Sequence, residues 1–188
     1  GIFASSCLSK NLSASYNESV TLYFSGNISV EKMTRAMEHL VERHDALRAS
    51  FDQTGRTMKI DPQQKVPLRV INFSSVQSPT IKRANQEQRH HDLIGDETAL
   101  PFPLPTVALF RNQMILLAHD RAAVVLTAHH VICDGWSLDV LIRDLCALYS
   151  EAVSGVAASL APAESYLDYA QAVAHRQISE EFKLASRY

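Results

Sequence analysis

Three cysteines in 188 residues, Cys7, Cys133 and Cys146, make neither an even set nor a CxxC pair. That scarcity argues against a disulfide framework and a zinc knuckle, and the expected compartment is reducing cytoplasm. No apolar run approaches the roughly 20 residues that cross a bilayer. The opening GIFASSCLSK lacks a signal peptide's order of basic, apolar and cleavable parts, so no membrane partner is expected. One-sided charge is missing too: 18 basic and 20 acidic residues are mixed along the chain, for a formal net charge of -2. Without a basic field to hold a phosphate backbone, nucleic acid is not an expected partner. No GxGxxG follows a strand, which removes a Rossmann fold, and no GxSxG supplies a nucleophile elbow. Repeats, low-complexity tracts and long linkers are absent as well, so one domain is the default.

What is present is enough for a core: 46% of the residues are apolar, and a domain of this size buries roughly 70% of its unfolded surface. Val20–Ser25 is rich in β-branched and aromatic residues and stops at Gly26-Asn27, which predicts a strand. Ser29 can cap a helix to about Arg43, whose Val30, Met33, Met37, Leu40 and Val41 share one face; the methionines read as core fillers. Leu47–Phe51 and Thr57–Ile60 predict short strands around Gly55, and Val66–Phe73 another, with Pro67 at its start or on an edge. Thr80–Ile94 predicts a polar surface helix, on which His90-His91-Asp92 forms a solvated face. Val107–Leu117 and Ala122–Ala128 predict a hairpin around Ala118-His119-Asp120-Arg121. An amphipathic helix follows Asp134-Gly135 and stops at Gly155, and Pro162 opens a last helical stretch through Tyr166, Tyr169 and Val173. The irregular alternation predicts an α+β fold, an α/β sandwich with a mixed sheet and flanking helices.

The chemistry concentrates in Val124–Ser137, where a buried apolar strand runs into His129 and His130, a turn, and a helix start. Histidine titrates near neutrality and can take or give a proton. Adjacent side chains on a strand point to opposite faces, so only one of the two can face a given cavity. Asp134 can orient His130 or lock the turn on an arginine, Gly135 permits close backbone approach, and the helix's first N–H groups can stabilise developing negative charge. Three alternatives stand beside this reading: a metal held by His129, His130 and Asp134, which lacks a clear further ligand; a Cys133–His129 nucleophilic pair; and two structural histidines satisfied by the backbone.

The sequence resembles the condensation domains of nonribosomal peptide synthetases, in the chloramphenicol-acetyltransferase-like superfamily. His129, His130, Asp134 and Gly135 match HHxxxDG, and Trp136-Ser137 supplies its continuation. Arg43–Phe51 resembles RHExLRTxF, with Asp45 for Glu and Ala49 for Thr. Pro101–Leu104 through Phe110-Arg111 resembles PFDL…GPLFR, departing at Pro103, Val107 and Ala108, and Tyr166–Ala170 resembles YxDYA. Such domains are about twice this length and have two similar lobes around a tunnel. The resemblance therefore implies that residues 1–188 are the N-terminal subdomain, with the C-terminal subdomain absent.

The resemblance further implies amide formation between a carrier-bound acyl or peptidyl thioester and a carrier-bound aminoacyl amine, in the biosynthesis of a secondary metabolite such as an antibiotic. The partners are donor and acceptor peptidyl carrier proteins (or an acyl carrier protein). No cofactor or metal is bound directly, the substrates riding on the carriers' phosphopantetheine. His130 is the expected tunnel-facing histidine and Gly135 the N–H donor near the thioester. His129 is expected to pack, Trp136 to support the core, and Asp134 to pair with Arg43 or Arg48. Ser15–Ser19 resembles condensation domains that follow polyketide modules. A non-catalytic partner-recruiting module of the same fold, or a small acyltransferase closed by homo-oligomerisation, are the competing functions.

Overall fold

The computed structural model describes residues 2–73, 83–104 and 108–178. Two short helices, α1 (Ile2–Ser6) and α2 (Lys10–Ala14), lead into strand β1 (Asn17–Ser25) and helix α3 (Val30–Arg43). A 3-10 turn (Asp45–Arg48) and the short strands β2 (Ala49–Phe51), β3 (Met58–Ile60) and β4 (Arg69–Asn72) follow. Helix α4 (Arg83–Ala99), strands β5 (Phe110–Ala118) and β6 (Arg121–His129), and helices α5 (Gly135–Ser154) and α6 (Tyr166–Ile178) complete the order.

The main sheet runs β1-β6-β5-β4, and β2 and β3 form a separate two-stranded ribbon. β6 lies antiparallel to β1 and β5, whereas β4 runs parallel to β5, so the sheet is mixed as expected. β6 is buried on both faces. Ala122, Val124, Leu126 and Ala128 meet Met33, Met37 and Leu40 of α3 and Leu141 and Leu145 of α5. Ala123 and Val125 meet Phe73 and Ile115, with Leu93 and Ile94 of α4 packed alongside. An α/β sandwich results, with its thicker layer on the α3/α5 face.

Local chemistry sets the boundaries. Ser29 accepts from the Lys32 N–H and opens α3, and Gly155, in the left-handed region at φ 75°, closes α5. Ala118 pairs with Arg121 across the tight turn of the predicted hairpin. Val107 and residues 80–82 lie outside the described residues. Several boundaries shift, among them the start of the last helix, which is Tyr166 rather than Pro162. Leu47 and Arg48 form a 3-10 turn rather than a strand, because buried Arg48 donates to the carbonyls of Val41 and Glu42 and tightens the chain against the end of α3. Val66–Leu68 stays outside β4, consistent with the missing N–H of Pro67.

Candidate active site

β6 delivers both histidines to one end of the sheet. His129 stands opposite Asn17 in the β1 register, and the His130 N–H donates to the Tyr16 carbonyl at 2.8 Å, one step beyond the strand. A turn closed by Ile132 N–H on the His129 carbonyl then feeds Asp134, the N-cap of α5.

Alternation separates the two rings. His129 is 0% exposed, between Tyr16 and an edge-on Phe102, with ring centroids 6.1 and 6.0 Å away. Its Nδ1 accepts the Val131 N–H at 3.1 Å, so in the neutral ring the proton sits on Nε2, which meets no partner among the described residues. Burial, and secondarily the neighbouring His130, push its pKa down to about 4. His129 is a neutral packing residue at cellular pH. The His130 side chain is 35% exposed, and its Nδ1 lies 2.9 Å from Oε1 of Glu18. Glu18 pairs with Ala128, two residues before His130, so the two side chains are diagonal neighbours on one face of the β1/β6 pair.

The turn differs from expectation in its carboxylate. Asp134 accepts from the Ser137 N–H at 2.8 Å and the Ser137 hydroxyl at 2.6 Å, and these bonds hold its pKa below the usual value. It pairs with neither Arg43 nor Arg48: an N-cap points its oxygens back at its own helix, away from α3. Arg43 pairs instead with Asp144 of α5 at 2.8 Å, alongside His44 at 2.9 Å, and also donates to the Ala161 carbonyl. Burial raises the Asp144 pKa, but the hydrogen bonds from Arg43 and His44 outweigh it and leave it lowered. Arg48 holds Asp45 at 2.7 Å.

Trp136 is likewise not core support but 78% exposed. The inward Leu138, Leu141 and Leu145 lie about 140–200° around α5 from it, which turns its indole outward. It borders a cavity of about 240 Å³ with His44, Leu47, Cys133, Tyr166 and Tyr169. A Cβ built on Gly135 would meet no atom within 4 Å, so the first turn of α5 is open to an approaching group. The Cys133 thiol is pushed up to about 12, first by burial and then by the charges of Asp134 and Glu18, so it is no thiolate nucleophile. His91 and Asp92 are exposed on α4 as expected, whereas His90 is half-buried edge-on to Tyr23.

Sequence reasoning missed Glu18 and Asp144, although each leaves a signal. Glu18 continues the inward series Val20, Leu22 and Phe24 of β1, and Asp144 interrupts the apolar stripe of α5; a carboxylate at an apolar position implies a polar partner.

The class is thus an α/β sandwich that presents one partly open imidazole beside an uncovered helix start. A family model described as "Condensation domain" matches residues 4–188, and the chain belongs to that family. Among curated proteins, the malpibaldin synthetase of Mortierella alpina is 31% identical over 86% of this chain. The nonribosomal peptide synthetase kk1B of Curvularia clavata is 32% identical over 77%. The matched regions are 3% and 1% of those proteins. Among solved structures, a mutant of the starter condensation domain of rhizomide synthetase has a TM-score of 0.83 at 18% identity over 95% of this chain and 42% of its own. The first condensation domain of the calcium-dependent antibiotic synthetase, in complex with a substrate analogue, has a TM-score of 0.77 at 20% identity over 97% and 43%. The chain thus spans about two-fifths of these solved domains, which establish its chloramphenicol-acetyltransferase-like fold.

Proposed function

We propose that this chain is the N-terminal subdomain of a peptide-synthetase condensation domain, completed by a C-terminal subdomain, and that the assembled pair forms an amide bond. The observation that carries the proposal is the His130 imidazole, partly open at the end of β6, while its neighbour His129 is buried and neutral. The acceptor's amine nitrogen attacks the donor's thioester carbonyl, the C–N bond forms and the C–S bond breaks. His130 takes the excess proton from nitrogen, and the departing thiolate of the donor carrier's phosphopantetheine is protonated in turn. Both substrates arrive on carrier proteins, and no covalent intermediate on this chain is required. The open face of Gly135 at the start of α5 suits the oxyanion, which gains from the positive end of the helix.

The test is amide formation by the complete synthetase with donor and acceptor loaded on their carriers, read by mass spectrometry. A general base contributes about 10²–10⁴-fold, and His130→Ala should lower the single-turnover rate by an amount in that range. An unchanged rate overturns the role. One solved neighbour favours a second reading: an X-domain from teicoplanin biosynthesis, seen in complex with OxyB, has a TM-score of 0.67 at 25% identity over 82% of this chain and 32% of its own. On that reading the chain recruits a partner and makes no bond. Amide formation that depends on His130 excludes it.

A further inference from the structure

We infer that Glu18 is a positioning residue for this site: its carboxylate holds the proton of His130 on Nδ1 and leaves the Nε2 lone pair for the incoming amine. The inference rests on the reading of His130 as the proton acceptor and adds how that acceptor is prepared. A neutral imidazole carries one N–H, and either nitrogen can bear it. An ionised carboxylate only accepts, so a ring nitrogen that bonds to it does so as the donor. Oε1 of Glu18 stands 2.9 Å from Nδ1, at ion-pair distance though without hydrogen-bond alignment, and Nδ1 meets no hydrogen-bond partner among the described residues. After proton uptake the same carboxylate neutralises the imidazolium, a role that a buried carboxylate performs for the histidine of a serine-protease triad.

The backbone supplies the placement. The β1/β6 register sets Glu18 against Ala128 and His129 against Asn17, so Glu18 and His130 share a face that His129 does not. The other ionisable groups near the ring are accounted for: Asp134 is taken up by Ser137, and Cys133 is held as a thiol, partly by the charge of Glu18 itself. His129 has the opposite arrangement, with Nδ1 accepting from the Val131 N–H. Adjacent histidines therefore carry their protons on opposite nitrogens.

The test is a long-range ¹H–¹⁵N correlation spectrum of the histidine-labelled chain above neutral pH, with a second arm in the complete synthetase. The native chain should show His130 protonated at Nδ1 and His129 at Nε2. In Glu18→Ala the His130 signals should move toward a mixture of both forms, while the unchanged His129 signals report an intact fold. Glu18→Gln, which keeps an acceptor oxygen, should retain most of the native pattern. In the synthetase, Glu18→Ala should lower kcat by roughly 10-fold or more, within the range a general base supplies, with KM unchanged. It should cost nothing further in a His130→Ala background. A His130 spectrum unchanged by Glu18→Ala overturns the positioning role even where His130→Ala is inactive. A spectrum that changes as stated while His130→Ala remains fully active overturns the catalytic reading instead and leaves the clamp without a chemical purpose.

Discussion

The α3/α5 face of the sheet and the α4 face close over the end of β6 in different ways. On the α4 face Phe102 and Tyr16 cover His129 until its ring is lost from solvent. On the other face the helices pack tightly beneath Val124 and Leu126 but leave the strand end partly open, where the His130 ring meets a carboxylate from the edge strand. Two identical residues, adjacent in sequence, thus become a sealed packing unit and a partly open ring. Burial is the first cause of the difference: desolvation penalises the imidazolium of His129, whereas the ring of His130 keeps access to water and to an anion.

Exchanging the insults to these two positions should break that comparison most visibly. His129→Ala should destabilise the fold by roughly 2–4 kcal/mol through a cavity and an unpaired Val131 N–H, whereas His130→Ala should leave the denaturant midpoint almost unchanged. A chemical-denaturation series of the two variants gives the answer, and equal losses would erase the distinction. Acid sharpens it further. With the His129 pKa lowered from 6.5 to about 4, the unfolded chain binds the extra proton first. The contribution of His129 is therefore complete above pH 6.5 and should fall by about 3 kcal/mol as pH drops from there to about 4. A His129→Gln variant should lose that slope, and a His130→Gln variant should keep it.

The two carboxylates of α5 should give smaller and unequal effects. Asp144→Asn removes the charge shared by Arg43 and His44 between α3 and α5, and should cost roughly 1–3 kcal/mol, at or below the usual cost of breaking a buried pair. Asp134→Ala removes only a cap and should cost about 1 kcal/mol. Because Asp134 touches neither arginine, its loss should add to that of Arg43→Ala within about 0.5 kcal/mol. A larger coupling in the thermal-melt cycle would restore the pairing that the motif suggested.

Much of the scaffold was legible because its signals are local. Ser29, Gly155 and Asp134 each act on a neighbouring turn, and the stripes of α3 and α5 repeat at helical spacing, so the ends and faces of these helices could be read along the chain. The departures share one cause. Leu47 lost its strand to a guanidinium that folds back on α3, and Asp134 served its own helix while a carboxylate three turns on took Arg43. Trp136 faces solvent because the inward stripe of α5 begins with Leu138 on the opposite side. Glu18 was passed over because nothing in its neighbourhood of the chain suggests a histidine.

Periodicity, caps and motif spacing determined the order of strands and helices, the strand-turn-helix that carries the two histidines, and membership of the family. Packing decided which imidazole is sealed, which carboxylate each cation meets, and what stands beside the open ring. Those outcomes depend on sheet register and helix docking, which join residues more than a hundred positions apart; an imidazole's proton affinity follows from the groups that surround it in space, and its sequence neighbours do not specify them.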